Sequence, residues 1–183
     1  MTDMRANTPM SDADAPLTNA HAEGHAPTAV GVEIRPMAPD DTAAVARLSG
    51  ELGYPISPSQ TAANVERIRQ ASAVQPAEIL VAESCEDRAV VGWVHVCIPA
   101  DLVKTNTADI WGLVVASTHR GHGIGRALMT AAERWAIAQG CIEIRLRSGS
   151  HRTEAHAFYQ HLGYRIAKEQ KVFTRSLQPA DAS

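Results

Sequence analysis

Charge of one sign is not in surplus in this chain. Seventeen Lys and Arg stand against 20 Asp and Glu, a formal net charge of −3. Nucleic-acid binders ordinarily carry a basic excess, so that class of partner is not expected. No window holds the roughly 18 apolar residues that a membrane span requires. The first residues lack a basic start followed by an apolar run, so no secretory signal is expected. Cysteine is sparse: Cys85, Cys97 and Cys141 are odd in number, widely spaced and without a CxxC pair. That pattern excludes a disulfide framework and reads as reduced thiols in a cytoplasmic protein. No internal repeat is present.

What remains is enough for one domain. The chain has 183 residues, 45% of them apolar, which can close a hydrophobic core. Residues 1–30 are rich in Ala, Asp, Asn, Thr, Pro and His without periodicity, so a flexible tail is expected there. His21 and His25 sit four apart in that stretch, but nothing there would form the helix that such a metal pair needs. The ordered domain is expected over 31–178, with a short tail at 179–183.

Patterned segments begin at Val32. VEIRPM predicts a strand. Pro39 and Asp40 open a helix with Val45, Leu48 and Leu52 on one face, ended by Gly53. A second helix is predicted from Ser57 or Pro58 to residue 72. EILVAES (78–84) and VVGWVHVCI (90–98), joined by a polar turn, predict a hairpin. After a polar loop at 99–107, DIWGLVVA (109–116) predicts a fourth strand. Ile124, Leu128, Ala131, Trp135 and Ala138 recur at helical spacing over 123–139, and Gly140 supplies the stop. In CIEIRLRS, Ile142, Ile144 and Leu146 alternate with Glu143, Arg145 and Arg147, a strand with one wetter face. A short helix at 152–161 and a last strand, VFTRSL (172–177), complete the pattern. Strands interleaved with helices in this order predict an α/β fold with a mixed sheet covered by helices.

Between the fourth strand and the long helix lies RGHGIG, residues 120–125. Three alternate glycines remove Cβ atoms where the chain turns, allowing another group close to the backbone. The helix begins here, so several N–H groups lack intrahelical partners and the helix dipole adds partial positive charge. That is an anion site, and a diphosphate suits it. Arg120 and Arg126 can add charge-assisted contacts. No GK[ST] follows, and the spacing is not GxGxxG, so nucleoside triphosphates and dinucleotides are disfavoured.

LVVASTHRGHGIG resembles the acetyl-CoA-binding motif R/Q-x-x-G-x-G/A of the GCN5-related N-acetyltransferase (GNAT) superfamily, with Arg120, Gly123 and Gly125 at its defining positions. EAHAFYQHLGY (154–164) is similar to the family's A-x-x-x-Y-x-x-x-G-[FY] segment at Ala155, Tyr159, Gly163 and Tyr164. The resemblance spans about residues 32–177. It implies a GNAT fold, an α/β architecture with a mixed central sheet of about six or seven strands flanked by about four helices. It implies that the main chain of Gly121, His122, Gly123, Ile124, Gly125 and Arg126 cradles the CoA diphosphate. Leu113, Val114 and Val115 would pair with the pantetheine arm. The family often has Asn where Arg152 stands; Arg152 would reach a CoA phosphate or pantetheine carbonyl instead.

The implied function is transfer of the acetyl group of acetyl-CoA to a primary amine of a small molecule or protein, by direct attack in a ternary complex and without a metal. Tyr159 is the implied general acid toward the leaving thiolate. Asp109 is the candidate base, because ADIWGLVV resembles the histone-acetyltransferase branch, where a glutamate at this place deprotonates lysine. His95 and Glu51 compete for that role. His151, His156 and His161 match no common zinc-ligand spacing. The acceptor surface would be built by residues 40–72 and 99–107, where Glu51, Asp101 and Asp109 suit a cationic amine. The alternative is a non-catalytic acyl-CoA sensor or regulatory module. Exposed strand edges would also be compatible with a homodimer.

Overall fold

The structure, a computed structural model, describes residues 31–103 and 106–177. The tail expected at 1–30, with His21 and His25, lies outside the described residues, as does 178–183. The elements are β1 (Val32–Pro36), a 3-10 turn (Pro39–Asp41), α1 (Thr42–Glu51), α2 (Pro58–Ala71), β2 (Ala77–Ser84), β3 (Val90–Cys97), β4 (Thr107–Val115), a second 3-10 turn (Ser117–His119), α3 (Ile124–Ala138), β5 (Glu143–Leu146) and α4 (Thr153–His161).

Five strands form one sheet in the order β1-β2-β3-β4-β5. The first three pairings are antiparallel, and β4 runs parallel to β5. A parallel pair needs a crossover, and the amphipathic α3 supplies it. Its apolar stripe, Ile124, Leu128, Met129, Ala132 and Ala136, packs on Leu80, Ala82, Val94, Val96, Ala108 and Ile110. The other sheet face is covered by α1, whose Val45 and Leu48 meet Val81, Val90 and Val114. Local chemistry starts the helices where the sequence marks them. Ser57 Oγ accepts from Gln60 N at 3.1 Å, and Pro58 occupies the first turn of α2.

An ion-pair network ties the first connection down. Asp41 accepts from the Arg35 guanidinium at 2.6 and 2.9 Å and from Ala38 N at 2.7 Å, and Arg35 also pairs with buried Glu83. The guanidinium holds the Asp41 carboxyl below the usual carboxylate range.

The strand count is a correction. The described residues hold five strands and four α-helices, not six or seven strands. VFTRSL at 172–177 pairs with no strand among the described residues; Val172, Phe173 and Leu177 are exposed there. Strand propensity records how a side chain fits a pleated, half-buried surface, and here no neighbouring strand or core face supplies that surface.

Candidate active site

The β4–β5 ladder runs from Thr107↔Glu143 to Ile110↔Leu146 and stops, while β4 continues to Val115. The two strands therefore part, leaving an open β4 edge. On the other side, the β3–β4 register jumps from His95↔Gly112 to Val96↔Ile110, so Trp111 is an extra residue in a β-bulge. A bulge bends its strand and increases local twist, which helps β4 leave β5. Ala116 N donates to Val91 O at 2.8 Å, so residue 116 and, by alternation, Val114 direct their polar groups to β3. Leu113 and Val115 then direct theirs to the open edge. The Val115 carbonyl accepts from Arg120 Nε at 3.1 Å.

The glycine loop closes the upper end of this edge. Gly121 and Gly123 have φ of +82° and +80°, a region costly for a Cβ-bearing residue. Gly123 is the N-cap of α3, with no side-chain capping bond. Ala127 N reaches Gly123 O at 3.0 Å, whereas the amides of Ile124, Gly125 and Arg126 find no acceptor among the described residues. Three donors at a positive helix end are thus available to an anion. At Gly125 a Cβ would lie 3.1 Å from Phe158 Cζ, so the glycine lets α4 close against the start of α3. His122 is exposed, its Nδ1 3.4 Å from His119 O.

Tyr159 on α4 packs edge-on to Phe158 and Tyr164, and Phe158 lies against Gly125 at the start of α3. The Tyr164 hydroxyl donates to Glu133 Oε1 at 2.7 Å, while the Tyr159 hydroxyl takes no hydrogen bond among the described residues. Burial pushes the Tyr159 phenol above its ordinary value, and the positive charge of nearby Arg152 partly offsets that.

Asp109 is placed differently from the expected base. It is 2% exposed and ion-paired with Arg145 Nε, with Arg147 Nη1 at 3.3 Å from its other oxygen. Both of its oxygens are thus engaged by guanidiniums in a covered position, and neither faces an open site. His95, one strand over, has a buried Nε2 without a hydrogen-bond partner among the described residues, and its ring lies 5.8 Å from Trp111. Burial holds its pKa below the ordinary histidine value, so the ring is neutral at pH 7. Glu51 accepts from Ser117 N at 2.9 Å and sits 3.4 Å from Arg47 and 4.0 Å from Arg120. Asp101 lies 3.8 Å from Arg145. All three acids expected to attract a cationic amine are therefore already charge-compensated.

Three side chains at the site escaped the sequence reading. Phe158 against Gly125 had no signal of its own. Trp111 was visible only as an aromatic within a strand. Arg147 was signalled by the wet face of CIEIRLRS, though not as a site residue. Among the described residues no group of three His, Cys, Asp or Glu is placed to hold a metal, and no helix is long and apolar enough to cross a membrane.

A mixed sheet forked beside an uncapped, glycine-led helix sets an extended open edge next to an anion-receptive helix start. The chain matches the Acetyltransferase (GNAT) family over residues 46–164 and belongs to that family. It is 28% identical over 98 residues to aminoglycoside N(6')-acetyltransferase type 1 of Stenotrophomonas maltophilia, covering 51% of this chain and 64% of that protein. It is 32% identical over 59 residues to streptothricin acetyltransferase of Escherichia coli, covering 32% and 34%. The chain thus spans less than two thirds of the curated relatives it matches. AAC(6')-Iy, solved with a CoA-containing bisubstrate analogue, shares the fold at a TM-score of 0.67 and 23% identity, over 79% of this chain and 97% of that one.

Proposed function

We propose that the protein transfers the acetyl group of acetyl-CoA to a primary amine by direct attack within a ternary complex. The observation that carries this reading is the open β4 edge running up to the three unpartnered amides of α3. An extended amide-bearing chain ending in a diphosphate fits that combination, and the pantetheine arm and diphosphate of CoA are such a chain. The AAC(6')-Iy complex with its CoA-containing analogue supports the same cosubstrate.

Acetyl-CoA supplies an acetyl group activated as a thioester. The amides of Ile124, Gly125 and Arg126 face the diphosphate, and Arg120 can turn from the Val115 carbonyl to add charge. Leu113 and Val115 offer their edge groups to the pantetheine amides. The Leu113 N–H, beside the bulge, is the donor available to the thioester oxygen as negative charge develops there. The amine lone pair forms the new C–N bond, the C–S bond breaks, the amine sheds one proton and the thiolate gains one.

Tyr159 serves the last of these transfers. Its raised pKa keeps the phenol protonated and able to donate. Donation from an ordinary phenol near 10 to the thiolate of a thiol near 8.5 is uphill by about 2 kcal/mol; burial of Tyr159 adds to that cost and Arg152 subtracts from it by favouring phenolate. A lysine-like amine is neutral in only about one molecule in a thousand at pH 7, and with Asp109 committed to arginines its proton leaves to water.

The test is calorimetry with CoA, followed by thiol release from acetyl-CoA in the presence of varied amines. Micromolar CoA binding with amine-dependent release is expected. CoA binding without turnover would establish the sensor reading, and no heat at millimolar CoA would overturn both.

A further inference from the structure

The fork between β4 and β5 ends in two residues of opposite character. The last paired residues are Ile110 and Leu146, so the first beyond the fork are Trp111 and Arg147. Ile144 and Leu146 pack into the core under α3, which sends Arg145 and Arg147 to the opposite face. Asp109 is on that face too, since both arginines reach its carboxylate. So is His95, whose ring neighbours the Trp111 ring. If acetyl-CoA lies along the open edge, this is the face from which an acceptor approaches.

The two arginines differ in what they have left to give. Arg145 is 24% exposed and divided between Asp109 and Asp101. Arg147 is 64% exposed and has one partner among the described residues, Asp109, through Nη1. That contact anchors one nitrogen of a planar guanidinium and leaves the others to solvent. The Asp109 side chain is buried under the pair and presents no open carboxylate. Trp111, 64% exposed, adds a flat wall beside the guanidinium.

We propose that the acceptor amine carries a carboxylate and that Arg147 reads it. This rests on the acetyl-transfer reading above. A guanidinium with free donors in one plane matches the two oxygens of a carboxylate, and such charge-assisted pairs are among the stronger polar contacts. The phosphates of CoA do not compete for this arginine. They belong at the α3 end of the edge, and Trp111 to Val115 alone is about 13 Å of extended strand. A polycationic acceptor finds no uncompensated acid among Glu51, Asp101 and Asp109.

The test pairs carboxylate-bearing amines with plain ones in the thiol-release assay: 4-aminobutyrate with butylamine, 6-aminohexanoate with hexylamine, lysine with 1,5-diaminopentane, and neamine as the polycation. In at least one pair the carboxylate member is expected to have kcat/KM about tenfold or more above its twin. Arg147→Ala should lower that member about 10- to 100-fold, leave the plain amine within about twofold and leave CoA affinity unchanged, with a modest fall in Tm because Arg145 still holds Asp109. Arg147→Lys should restore only part. Preference for plain amines or neamine in every comparison would overturn the proposal, as would equal losses in both members of a pair. If no amine is acetylated, the acetyl-transfer reading fails by itself. Titration of the same pairs into the protein–CoA complex then decides the Arg147 proposal: carboxylate-selective binding lost in Arg147→Ala supports it, and equal or absent binding overturns it.

Discussion

Asp109 and Arg145 are register partners across the parallel β4–β5 pair, and their side chains are ion-paired where Asp109 is 2% exposed. The pair clamps the two strands together just before they part. Removing one member of a buried pair leaves the other uncompensated. Asp109→Asn is therefore expected to cost about 3 kcal/mol of stability in urea denaturation. The fraction still folded should retain kcat within a few-fold. A stable variant with kcat reduced a thousandfold would restore Asp109 as the base.

Tyr159→Phe keeps the ring contacts to Phe158 and Tyr164 and removes only a hydroxyl that takes no hydrogen bond among the described residues. Stability and CoA affinity should hardly change. Turnover should fall about 10²- to 10⁴-fold, the usual worth of a positioned proton donor. Unchanged steady-state turnover would make Tyr159 a packing residue.

Gly123→Ala places a Cβ at φ +80° on the N-cap of α3. The strain is roughly 1–2 kcal/mol, and relief would turn the first amides of α3 away from their common direction. Both Tm and CoA affinity should fall, the second measured by calorimetry. A variant of lower Tm that binds CoA as tightly as the parent would show that those amides do not hold the diphosphate.

His95 links stability to mild acid. Its folded pKa is depressed by burial, so the stability it contributes is present above the unfolded value near 6.5 and lost as pH falls through the lower folded value. Urea midpoints measured from pH 7.5 to 5 should decline below pH 6.5. His95→Gln should flatten that decline, and superimposable slopes for the two proteins would contradict the assignment.

Much of the architecture was legible before any coordinates. The 3.6-residue apolar spacing at Ile124, Leu128 and Trp135 marks α3, and alternation at Ile144 and Leu146 marks β5, because both patterns follow from local geometry. RGHGIG announced an anion-receptive helix start for the same reason: positive φ and missing Cβ atoms are properties of glycine itself. VFTRSL was misjudged because pairing needs a partner edge that no local pattern reveals.

The residues by themselves determined the helices, the alternation of the strands that did pair and the uncapped start of α3, since each depends on neighbours within a turn or two of chain. The tertiary structure alone decided which charges are free. Asp109, Arg145 and Arg147 lie up to 38 positions apart, and only the α3 crossover brings them together. That meeting covers the carboxylate and leaves one arginine open at the fork. The bulge at Trp111 is of the same kind, because a register shift exists only between two strands that have already paired.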